Sequence, residues 1–224
     1  MMNDEKKEKI QEIIKMINAI SGRHSVYDVF CDWVHCLAMS IQNSSTLKHD
    51  ETWQMREKEY LDIMSKYDEK EQNSFYEMTA RLIEAMEAGY ADILGEIYMG
   101  CEMGSSHTGQ FFTPFDLSLL TAQLSLSQVV NKEKIKVHEP TCGSGGMVIA
   151  AAQVLKDEGI NVRSMDVIAQ DMAWICVYMC YVQLSLYGIS AVVVQGDTLM
   201  QPYDPKLTEP YRVLKTPAKM GALV

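Results

Sequence analysis

The sequence predicts an α/β fold in which a Rossmann-like parallel sheet is preceded by an all-helical N-terminal subdomain. Three observations carry this. From Glu5 to about Gly104, apolar residues recur at three- and four-residue spacing, as in "KIQEIIKMINAI" and "FYEMTARLIEAMEAGYADILGEIYM". Beyond that point short apolar runs alternate with helical ones. A glycine turn, "TCGSGG", directly follows the first of those runs.

Residues 1–104 read as the helical subdomain and 105–224 as the α/β domain. In the first, Ser25 followed by Asp28 is a helix-start signal, while Gly22 and "QNSST" separate helices. Met16, Met39, Met64, Met78 and Met86 lie on the apolar stripes and are expected in the core. In the second, the polar loop "SSHTGQ" leads to a helix near 114–130, with Thr113 as N-cap, Pro114 as the first helical residue and Asp116 at N3. "IKVHEP" (135–140), "RSMDVIAQD" and "SAVVVQGD" are strand candidates. "GGMVIAAAQVLKDEG" and "AWICVYMCYVQLSLYG" are the helices between them, ending at Gly159 and Gly188. Strand, helix, strand, helix, strand implies right-handed crossovers and a parallel sheet with helices on its faces.

With 224 residues, 47% of them hydrophobic, the chain can fill a sizeable core. No stretch approaches the roughly 20 apolar residues of a membrane span, and the charged N-terminus is unlike a secretory signal; the cytoplasm is the expected location and no membrane partner is expected. The net charge of −10 is concentrated N-terminally: residues 1–130 carry 11 Lys/Arg against 21 Asp/Glu, residues 131–224 nine of each. DNA affinity rests largely on cationic side chains displacing phosphate counterions, so DNA is expected to bind only weakly to this chain alone. The six cysteines form no CxxC pair and do not cluster with the five histidines, so reduced thiols and no metal are expected.

The glycine turn then asks for a ligand. A phosphate-cradling GxxxxGK[ST] loop and the dinucleotide spacing GxGxxG are both absent, and Glu139 would meet a pyrophosphate with like charge. Three acids end the three strand candidates: Glu139, Asp171 and Asp197. In a nucleotide-binding sheet the acid on the second strand can accept from a ribose diol. The third can take an exocyclic adenine amine, and Glu139 can balance an amino group and a sulfonium. The helix start at Thr113–Pro114 offers free N–H groups to a carboxylate. An adenosine joined to a methionine meets all of these demands.

These residues also resemble a family. "GQFFTP" (109–114), "EPTCGSGG" (139–146), "AQD" (169–171) and "QGDTL" (195–199), in that order, are similar to the S-adenosyl-L-methionine motifs of adenine-N6 DNA methyltransferases, and most closely to the modification subunit of type I restriction-modification systems. "VYDVFCDWVHCLAMSI" and "YADILGEIYM" resemble that family's helical domain. The resemblance implies a class of S-adenosylmethionine-dependent methyltransferase fold and places Thr113, Glu139, Gly143, Asp171 and Asp197 at the cofactor, with Phe112 packing near it. Gln110, Phe111, Thr141, Ser144, Gly145, Met172, Gly196 and Thr198, from the same stretches, complete the expected cofactor site.

The family's Asn/Asp-Pro-Pro-Tyr/Phe tetrapeptide, which holds the flipped adenine and its N6 amine, does not occur. "YRVLK" is a candidate fourth strand, which would set Thr216 and Pro217 where that motif belongs; they are weak catalytic candidates because neither accepts twice nor stacks. "QPYD" (201–204) is a rival. The sheet is therefore expected to be incomplete. Two readings stand: an adenine methyltransferase working with a DNA-reading or catalytic partner subunit, or a catalytically inactive binding protein acting through a protein partner.

Overall fold

The computed structural model describes residues 4–103, 111–126 and 134–221. The chain divides into two compact units, Met1–Gly89 with Ile93–Phe111, and Tyr90–Asp92 with Phe112–Val224.

The first unit is helical: α1 (Asp4–Ile20), α2 (Val26–Ser44), α3 (Glu51–Met64), α4 (Glu69–Glu87) and α5 (Ile93–Gly100). Ile10, Ile13, Ile14, Ile17 and Ile20 form the buried stripe of α1, and Phe75, Met78, Leu82, Ala85 and Met86 that of α4. Four of the five core methionines are buried, whereas Met16 is half-buried. Phe30 meets Trp33 and Tyr98 edge-on, and the Trp33 indole donates to Thr79 Oγ1 at 3.0 Å. The expected start at Ser25 is present, its hydroxyl oxygen accepting the Asp28 N–H at 3.0 Å. Asp68 and Glu71 form a reciprocal capping box on α4, and Arg23 reaches both carboxylates at 2.9 Å. No helix among the described residues is long and apolar enough to cross a membrane.

The second unit contains α6 (Phe115–Leu126), β1 (Ile135–Glu139), α7 (Gly146–Asp157), β2 (Met165–Asp171), α8 (Trp174–Leu186), β3 (Ala191–Gln195), β4 (Val213–Lys215) and the short α9 (Pro217–Met220). The sheet order is β1-β2-β3-β4. β1, β2 and β3 are parallel, with Glu139 beside Ala169 and Asp171 beside Gln195, so the carboxyl ends of the three strands lie together. The apolar run of β3 is buried through Val194, as expected of a strand covered on both faces, and α8 is buried from Ile175 to Ser185 except Tyr178. α6 packs along α7. It begins one residue later than the capping pattern predicts: the Pro114 carbonyl accepts the Leu117 and Ser118 N–H groups, so Pro114 takes the cap position expected of Thr113.

The fourth strand corrects one expectation. β4 is antiparallel and pairs with β3, Leu214 opposite Val193. Reversal of direction carries Thr216 and Pro217 to the amino-terminal end of β3, away from the strand tips that hold the acids. Both are buried. The Thr216 hydroxyl donates to the Ile189 carbonyl at 2.8 Å, accepts the Ala191 N–H at 2.9 Å and caps α9. Its role is to close the edge of the sheet, not to hold a reacting base. Thr216→Val keeps the shape but leaves that buried carbonyl and amide unpaired, and is expected to cost about 1–3 kcal/mol of stability in urea unfolding followed by circular dichroism. A cost under about 0.5 kcal/mol, the range of ordinary surface changes, would contradict this role.

Candidate functional site

Three strand tips and the loops that leave them build the candidate site. Gly143, in the turn after β1, has φ +50°, and a Cβ there would stand 3.0 Å from the Phe112 ring, so a side chain is both strained and crowded. Phe112 therefore packs against the glycine turn. Gly145 caps α7, its N–H bonded to the Cys142 carbonyl at 2.8 Å.

Asp171 ties the turn to the neighbouring strand. Its Oδ2 accepts the Gly143 N–H at 3.0 Å and its Oδ1 the Ala173 N–H at 2.9 Å. Each oxygen keeps a second acceptor site, so a diol could still be held there. Backbone bonds lace the same tips: Cys142 N–H to the Gln170 carbonyl at 2.9 Å and Gly196 N–H to the Asp171 carbonyl at 2.8 Å. The Thr198 hydroxyl donates to the Pro140 carbonyl at 2.5 Å, joining the loop after β3 to the loop after β1. The Gln195 amide holds the Met172 carbonyl at 2.8 Å and leaves the Met172 side chain exposed. These bonds join the loops after β1, β2 and β3.

The three acids differ in setting. Burial raises the Glu139 carboxyl above the ordinary carboxylate range. The Thr141 N–H, 3.3 Å from Oε1, and His138 pull it back, and the Asp171 charge adds to the rise. Glu139 and Asp171 are therefore close enough to repel. Asp197 instead caps its own turn, Oδ1 accepting the Leu199 N–H at 2.9 Å and the Met200 N–H at 3.2 Å.

Other expected residues fall differently. Thr113 and Phe111 are exposed, and Gln110 lies outside the described residues. Ser144 is 2% exposed with its hydroxyl donating to buried Asp92, so it backs the turn from within. Thr216 and Pro217 stand at the far end of the sheet, as described above. The rival stretch 201–204 is held beside the β2 tip by Gln170, whose side-chain amide donates to the Gln201 carbonyl at 2.9 Å and accepts the Tyr203 N–H at 3.1 Å.

Gln170 and Arg212 went unread in the sequence. Gln170 is fully buried, the middle residue of "AQD"; a polar residue directly after the apolar run 167–169 was its only signal. Arg212 donates to the Gln195 carbonyl at 2.8 Å and packs against Gly196, which brings a cation to the β3 tip. No local pattern marks it, because the contact depends on the antiparallel return of β4. Among the described residues, no group of three or more His, Cys, Asp or Glu could hold a metal ion. The Cys142 thiol is raised well above its usual value, first by its hydrogen bond with Cys180 and then by burial, so it stays protonated beneath the turn.

Comparison with known proteins places this geometry. The family model for N-6 DNA methylases matches residues 89–214, more than half of the chain. The methylase subunit of the type I restriction enzyme MjaIX from Methanocaldococcus jannaschii is 31% identical over 85 residues, 36% of this chain and 14% of the relative. A Listeria monocytogenes protein assigned as a class I S-adenosylmethionine-dependent methyltransferase has the same fold at a TM-score of 0.51 and 12% identity, over 91% of this chain and 56% of that one. A type I restriction-modification methyltransferase subunit from Streptococcus thermophilus aligns at a TM-score of 0.47 and 12% identity, over 91% of this chain and 60% of that one. The chain thus spans 14% of the length of the curated relative and 56% of the first solved structure. With the family model covering the glycine turn and all three acid-tipped strands, this chain belongs to the N-6 DNA methylase family.

Proposed function

We propose that this chain binds S-adenosyl-L-methionine at the carboxyl ends of β1, β2 and β3 and serves adenine-N6 methylation of DNA together with a partner subunit. The observation that carries the reading is the Asp171 carboxylate bonded to the Gly143 N–H, which puts the acid of the second strand against the glycine turn. The donor set fits the cofactor: backbone N–H groups and carboxylates meet an amino acid and a nucleoside. Asp171 would take the ribose hydroxyls, Asp197 the adenine amine, and Glu139 the positively charged methionine end. Bound there, the cofactor supplies an electrophilic methyl group.

Family membership supports adenine methylation, and the charge balance supports a partner. The excess of acid over base disfavours DNA held by this chain alone. The partner would bring the DNA contacts and the groups that hold the flipped adenine.

Titration calorimetry of the whole chain with S-adenosylmethionine is expected to show one site, weakened about tenfold or more in Asp171→Ala, which loses charge-assisted bonds. Absence of heat with the unaltered protein would remove the cofactor assignment. The pH dependence has a definite sign. A raised Glu139 pKa means that this side chain gains its proton at a higher pH than an ordinary carboxylate, and a neutral Glu139 no longer attracts a sulfonium. Affinity should fall as pH drops, and the fall should set in at a higher pH than the usual glutamate value of about 4.3 would give. Glu139→Gln should flatten that fall; an unchanged profile would exclude Glu139 from the site. With labelled cofactor and adenine-containing DNA, the chain alone is expected to transfer no methyl above background, and catalytic turnover lost in Asp197→Ala would show that it needs no partner.

A further inference from the structure

Beneath the glycine turn lies a carboxylate that the cofactor reading leaves unused. Asp92 sits in the tripeptide Tyr90–Asp92, which groups with the second unit although residues of the first flank it in sequence. It is 5% exposed. Its Oδ2 accepts the Ser144 hydroxyl at 2.5 Å and its Oδ1 the Gln183 side-chain N–H at 2.8 Å. The same Gln183 amide donates to the Ser144 carbonyl at 2.8 Å. A Cβ on Gly146 would stand 2.9 Å from Asp92 Oδ2, so the carboxylate rests against the first residue of α7. The tripeptide is itself anchored, since the Tyr187 hydroxyl accepts the Ala91 N–H at 3.0 Å and donates to the Ala91 carbonyl at 2.9 Å.

We infer that Asp92 is a positioning residue for the cofactor: with Gln183 it fixes the hydroxyl and the carbonyl of Ser144 and so orients the peptides of the glycine turn. A carboxylate this deeply buried is costly unless its hydrogen bonds are made, and the partners here are the central residue of "CGSGG" and the helix behind it. Removal of either partner frees Ser144 to rotate, and the Thr141 N–H then loses its set direction towards Glu139, the acid assigned to the methionine end. The inference rests on the reading of this crevice as an S-adenosylmethionine site. It concerns the half of that site built by the turn, which faces the amino-acid end of the ligand, whereas adenosine alone depends on Asp171 and Asp197.

The test is calorimetry of the full chain with two probes, S-adenosylmethionine and adenosine, for the unaltered protein and Asp92→Asn, which keeps the shape and loses one acceptor. The expected result is a loss of about tenfold for S-adenosylmethionine with adenosine held within about twofold, the size expected of one charge-assisted bond. A purely structural defect would weaken both ligands alike and would overturn the inference, as would no change in either. If Asp92→Asn does not fold, Ser144→Ala removes only the hydroxyl bond to Asp92; it should show the same selectivity at about threefold, and loss of that selectivity counts against the inference equally. Amide exchange gives a readout that needs no ligand: residues 139–147 should exchange about tenfold faster in Asp92→Asn while β2 and β3 stay protected, and unchanged exchange would overturn the positioning role. If the unaltered protein binds neither probe, the cofactor reading falls and the inference with it; if it binds and the variant matches it, the inference alone fails.

Discussion

The second unit is organised by a single contact, the Asp171 carboxylate on the Gly143 N–H. A strand end and a glycine turn are separate local structures, and nothing in either forces them to meet. The charge-assisted bond between them fixes the turn after β1 against the tip of β2, and the backbone bonds from Cys142 and Gly196 extend the join to β3. Three loops are thereby joined.

Electrostatic balance follows from the same geometry. Burial, with a smaller contribution from the Asp171 charge, makes ionisation of Glu139 more costly than that of an ordinary carboxylate. Arg212 stands at the β3 tip, bonded to the Gln195 carbonyl and paired with Glu209 at 3.6 Å.

In open α/β sheets ligands settle where the strand order reverses. The described sheet runs β1-β2-β3-β4 without a reversal, and among the described residues β1 has a strand on one side only. β4 closes the other border by turning back antiparallel along β3, with Thr216 as its fastening. That choice explains why position in sequence misleads after residue 210: the segment that could extend the crevice folds away from it.

The sequence by itself determined the two textures of the chain, the three parallel strands with their intervening helices, and the glycine turn with an acid at each strand tip. These follow from periodicity and backbone freedom, which act over a few residues and are written locally in "KIQEII", "AVVV" and "CGSGG". Only the tertiary structure decided which acids meet, that Ser144 faces inward to Asp92 rather than outward, that Gln170 and Arg212 serve the strand tips, and that Thr216 closes an edge. Each of those contacts joins residues 17 to 52 positions apart, or follows from strand direction. Hydrogen bonds across such separations are selected by the burial of polar groups during packing, and local sequence carries no record of that selection.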